Sequence, residues 1–140
     1  MKKLFSARYS AGAFNTAMFV LRVGFGVLIA NHGYDKLQHF EMYKTQFINF
    51  MGMGQSVSLS LVIFAELGCG ILLVLGFATR LASIPLIITM LVALTKVHNW
   101  QVFDFKAANN GEMPCLYLLA FIVILCAGPG KASVDGMISK

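Results

Sequence analysis

Apolar residues fall in four runs along the chain, at 14–33, 57–77, 81–97 and 113–127, each closed by glycine, proline or charge. A helix needs about 20 largely apolar residues to cross a bilayer, at a rise of about 1.5 Å each. The first three runs reach or approach that length, and the fourth is a little short. Thr79 is placed to cap the third helix after Gly76, with Pro85 about one turn inside it. Pro114 suits the first turn of the fourth helix, and "GPG" at 128–130 ends it. This punctuation predicts four separate helices. "GFATR" between the second and third is so short that those two must be antiparallel neighbours. The expected architecture is an all-α, integral membrane, antiparallel four-helix bundle, a single domain over 1–140. In the first connection, "FEMYKTQFINFM" sets Phe40, Tyr43, Phe47 and Phe50 at helical spacing. That pattern predicts an amphipathic segment lying in the membrane interface. Trp100, Phe103 and Phe105 in the third connection fit the aromatic belt at headgroup level.

Composition agrees with the pattern. The chain is 58% hydrophobic and 12% charged, about half the charge a soluble domain of this size carries. The net charge of +5 is not interleaved with aromatics along one face, so it does not point to nucleic acid. It acts as a topology signal instead. With four spans, Lys2, Lys3, Arg8, Arg80, Lys131 and Lys140 share one side with Asp135. Lys36, Lys44, Lys96 and Lys106 on the other side are balanced by Asp35, Glu41, Asp104 and Glu112. Basic connections stay cytoplasmic, so both termini are expected inside. The start "MKKLFSARYSAGAF" leads into a run long enough to span, without a convincing cleavage site. Cys69, Cys115 and Cys126 lie inside apolar runs with no CxxC pair, and read as packing.

Two charges fall inside the spans. Arg22 and Glu66 each lie about 15 Å from a helix end at 1.5 Å per residue, near the bilayer midplane. An ionised group there needs a partner at its own depth, so the two are expected to meet as a buried polar pair. That pair would fix bundle register, or would form the core of a proton or ligand site. A second candidate lies at the outer edge, where the first and third helices end near His32 and His98. Tyr34, Asp35, Lys36, Lys96 and Trp100 are close by in sequence. Imidazoles there can exchange protons near neutral pH and hydrogen-bond a quinone carbonyl. The alternative is a polar collar, since His, Lys, Tyr and Trp suit helix ends at an interface. The expectation is a pocket with His32 facing the third helix near His98. No metal site is expected, because the histidines and carboxylates lack ligand spacing. No Walker loop, HExxH or nucleophile elbow occurs, so any chemistry is membrane-embedded or supplied by a partner.

The motifs also resemble those of the DoxX family. "LRVGFGVLIANHGYDKL" is similar to its first-helix signature, and "AELGCGILLVLGFATRLA" to its second-helix glutamate, Gly-rich run and Thr-Arg turn. "GEMPCLYLLAFIVILCAGPGKASVD" resembles its end pattern, with Lys131 at the usual basic position and Ala132 where an aromatic is more common. The resemblance picks out Arg22, His32, Gly33, Lys36, Glu66, Gly76, Arg80, Glu112 and Asp135. It implies a small four-helix protein of the bacterial cytoplasmic membrane, with no intrinsic cofactor and a possible quinone. The implied function is a subunit of a quinone-linked redox system, like the DoxD-type subunits of thiosulfate:quinone oxidoreductase or complexes handling thiol and oxidative stress. Other protein subunits or further copies of the chain would be its partners. The competing implications are a non-enzymatic scaffold or assembly factor, and a small-molecule or proton pathway.

Overall fold

The computed structural model describes residues 8–106, 108 and 110–139, which contain helices and no strand. Lys2, Lys3 and Lys140, three of the charges behind the expected orientation, lie outside the described residues. The first helix, α1, is Ala11–Gln38, longer at both ends than the apolar run that seeds it. A short helix α2 covers Phe40–Gln46. Then come α3 at Gln55–Leu75, α4 at Thr79–Val97, α5 at Glu112–Ala127 and a C-terminal turn of helix, α6, at Val134–Ile138. By length and composition α1, α3 and α4 can each cross a membrane, while α5 is apolar but has 16 residues. Leu73, Leu86, Phe121 and Ile124 form the sealed centre. Val20, Phe64, Leu81 and Leu119 face outward, as a lipid-covered bundle requires.

The packing of α1 on α3 positions everything that follows. A Cβ at Gly33 would fall on the backbone nitrogen of Leu67 and within 2.9 Å of its Cβ, so only glycine permits this approach. Lower down, Gly26 meets Gly70 and Val74. The two helices are therefore antiparallel, with residue 33 level with 67 and residue 26 level with 74. At the far end Gly76 closes α3 in the left-handed conformation, φ 71°, which glycine adopts without steric cost.

Three local expectations change. The start of α4 is not capped by Thr79, which is the first helical residue after Ala78 at φ 46°. Its free amides are met by Asp135, whose carboxylate accepts from Ala78 N and Thr79 N, each at 2.8 Å. The amphipathic segment is also shorter than its aromatic spacing suggests. It ends at Phe47, which is extended at ψ 152°, and Phe50 begins a separate 3-10 turn, Phe50–Gly52. Only Phe40 and Tyr43 of the four aromatics share that helix. Finally, α3 and α4 are not uniformly α-helical. Phe64–Cys69 and Ala93–Val97 are wound as π-helix, a form found mostly as single turns inside α-helices and often at functional sites.

Candidate functional site

The polar groups of the spans collect at two opposite ends of the bundle. At one end Arg22, 1% exposed, reaches across the foot of α3. Its Nη1 donates to the carbonyls of Leu73 at 2.8 Å and Val74 at 2.9 Å, and its Nη2 to that of Ala132 at 2.6 Å. Asn15 on the same helix accepts from Lys131 N at 2.9 Å. Asp135 caps α4 and its own amide donates to Gly76 O at 2.9 Å. Burial pushes the Asp135 carboxyl up, but the Thr79 and Ala78 hydrogen bonds and the Arg22 charge outweigh it and hold the group below the ordinary range. Arg80 lies against Gly128 and donates weakly to Cys126 O at 3.4 Å. Arg22, Gly76, Arg80 and Asp135 thus form one clasp between α1, the α3–α4 turn and the C-terminal segment.

Arg22 and Glu66 do not meet. Glu66, 4% exposed, is paired with Lys36, whose Nζ donates to Oε2 at 2.6 Å. The expectation of equal depth fails because the two helices are staggered. With residue 33 level with 67, Glu66 lies opposite residue 34, about 18 Å along α1 from Arg22 at 1.5 Å per residue. Extension of α1 to Gln38 carries Lys36 on the helix, one turn beyond His32, and delivers its amine to the buried carboxylate.

The Lys36–Glu66 pair lines a cleft of about 330 Å³, within the size range of small-ligand pockets. His32 lines it from α1, His98 from the end of α4, and Tyr117 from α5; Phe47 and Met90 add apolar wall. The cleft thus brings His32, Lys36, Glu66 and His98 together. Both π turns face it: one carries Glu66, the other contributes Ala93 and Val97 and ends at His98.

Four other candidates do not line it. Tyr34 and Asp35 are rotated to other faces of α1, because successive helical residues are about 100° apart. Tyr34 Oη accepts from Gln38 at 2.6 Å. Asp35 accepts from the Tyr43 hydroxyl at 2.8 Å, a bond that raises the Tyr43 pKa above the ordinary phenol. Lys96 is exposed, and Trp100, at φ 61°, is exposed in the loop beyond. Glu112 is exposed in the first turn of α5, where a carboxylate suits the helix dipole. Among the described residues no cluster of three metal-ligating side chains occurs.

Sequence reading missed Tyr117. Its signal was available, as the one residue with a polar tip in "CLYLLAFIVIL". The ring is held edge-on by Phe25 and His32, at 5.5 and 5.9 Å between centroids, and stacks on Phe121 at 5.8 Å.

Apolar spanning helices packed around a mainly apolar cleft with a few polar groups define a helical membrane protein. The DoxX family model matches residues 17–99, and the chain belongs to that family. It is 36% identical over 84 residues to an uncharacterized membrane protein of Mycobacterium tuberculosis, covering 54% of this chain and 52% of that one. It is 30% identical over 77 residues to an uncharacterized protein of Haemophilus influenzae, covering 54% and 50%. The chain spans about half the length of these curated relatives. No solved structure matches it.

Proposed function

We propose that the chain is the membrane subunit of a quinone-linked redox system and that the cleft between α1, α3, α4 and α5 receives the quinone ring. The observation carrying this reading is an apolar cleft whose polar groups include a half-buried ion pair, two imidazoles and a phenol. A neutral ring fits such walls, and its carbonyls match the N–H and O–H donors of His, Lys and Tyr. Bound there, a quinone supplies two-electron, two-proton chemistry, and the electrons come from a partner protein. The chain's own residues hold the ring, exclude water from it and exchange protons. Lys36 keeps the Glu66 carboxylate poised inside the cleft, while His32 and His98 lead from it toward the outer boundary. Membership of the DoxX family supports the redox setting. The clasp and cleft ends then correspond to the cytoplasmic and outer faces, in a four-span antiparallel bundle of a bacterial inner membrane.

The test is binding of decylbenzoquinone to the purified protein in detergent. His32→Ala is expected to weaken binding by about 3- to 10-fold, the loss of one hydrogen bond, with the bundle intact. His39→Ala should leave affinity unchanged, since His39 is exposed and engaged with Asp35 at 3.1 Å, away from the cleft. Equal effects of the two changes would remove His32 from the site. Co-purified membrane subunits together with no quinone binding would favour a docking scaffold.

A further inference from the structure

Tyr117 is 4% exposed and lines the cleft, yet its hydroxyl has no hydrogen-bond partner among the described residues. An unmade bond at a buried hydroxyl is costly, and buried polar groups in folded proteins are nearly always satisfied. Glu66 lines the same cleft but makes no hydrogen bond with this hydroxyl. Its Oε2 is instead taken by Lys36. Nor is the hydroxyl free to swing away. Phe25, His32 and Phe121 hold the ring on three sides, so the position of the oxygen is set before any ligand arrives. Met90 and Met113 belong to the same wall, and their unbranched thioether chains repack readily to admit a ring.

We propose that Tyr117 is the ligand-selecting donor of the cleft, its hydroxyl hydrogen-bonding a ring carbonyl of a neutral, lipid-soluble quinone. This rests on the reading that the cleft is a quinone site. It adds a discrimination that apolar walls alone do not provide. Such walls accept an alkylbenzene as well as an alkylquinone, whereas a preset donor rewards only the ring that carries an acceptor. The arrangement also predicts opposite signs for one substitution. Removing the hydroxyl relieves an unsatisfied group in the protein by itself and deletes a bond in the complex.

The experiment compares decylbenzoquinone with decylbenzene, which shares the tail and lacks the carbonyls, on the wild-type protein and Tyr117→Phe in detergent. The wild type should prefer the quinone. Tyr117→Phe should lose about 10- to 100-fold in quinone affinity, the range of one buried hydrogen bond, with decylbenzene affinity unchanged. Its melting temperature should equal or exceed the wild-type value. If the wild type prefers the quinone and Tyr117→Phe keeps that preference, the role of Tyr117 is overturned and the quinone site stands. If Tyr117→Phe melts lower, the hydroxyl serves the fold and the proposal falls. If the wild type shows no preference for the quinone, the quinone reading fails and Tyr117 loses its role with it.

Discussion

Replacing Arg22 by methionine is expected to lower stability by about 3–5 kcal/mol, since three backbone carbonyls lose a charged donor at about 1–3 kcal/mol each. Methionine fills much of the same space but donates nothing. The carbonyls of Leu73, Val74 and Ala132 lose their Arg22 donors, and Asp135 loses its nearby positive charge. The damage should concentrate in 128–138, read as faster amide exchange there than in α5. Arg22→Lys should recover only part, since an ammonium cannot reproduce the planar fork that serves three carbonyls. A pH dependence follows. Asp135 is held below its ordinary value in the fold, so its contribution is complete above the unfolded pKa of about 3.9 and is lost as pH falls through the lower folded value. Removing Arg22 raises that folded value. Acid loosening of the C-terminal segment should therefore begin at higher pH in Arg22→Met than in the wild type. Unchanged exchange in 128–138 would show that the clasp does not hold that segment.

Lys36→Met is expected to cost about 3–5 kcal/mol as well, because it leaves Glu66 in the bundle without a counter-charge. The Glu66 side chain is 5% exposed and that of Lys36 21%. The asymmetry predicts a milder Glu66→Gln, since the freed ammonium can extend toward the boundary. The double change Lys36→Met with Glu66→Gln should be less destabilising than Lys36→Met alone. Thermal unfolding of the four proteins in one detergent gives the coupling directly. Changes at Arg22 and Glu66, by contrast, should add within about 0.5 kcal/mol, because the two lie at opposite ends of the α1–α3 contact. Strong coupling between Arg22 and Glu66 would contradict the stagger of those helices.

Much of the fold was legible because its signals are local. Runs of apolar residues, Pro114 in a first turn and glycines after α3 and α5 locate the helices without tertiary information. Apolar spacing does not report how far one helix slides along another. Here Gly33 sets that register by admitting Leu67, and the slide separates Arg22 from Glu66. The glycine was visible, but its partner was not. The start of α4 was misread for a similar reason: Thr79 is the local candidate for a cap, and the group that serves is Asp135, from the other end of the chain. Among the outer-edge residues, sequence proximity grouped Tyr34, Asp35, Lys96 and Trp100 with His32 and His98. Helix rotation and the turn after α4 separate them. His32 and His98 share a cleft because α1 passes it at His32 and α4 ends beside it at Val97. Tyr117 and Phe47 join it only through tertiary packing, which no spacing rule shows.

The measurement that bears most directly on the account is photolabelling of the purified protein with an azido-substituted decylbenzoquinone, followed by peptide mapping. Label should appear on the peptides carrying 29–36 and 113–117, and excess decylbenzoquinone should displace it while decylbenzene does not. Label spread over the lipid-facing side chains, or undiminished by the quinone competitor, would contradict a quinone site in this cleft.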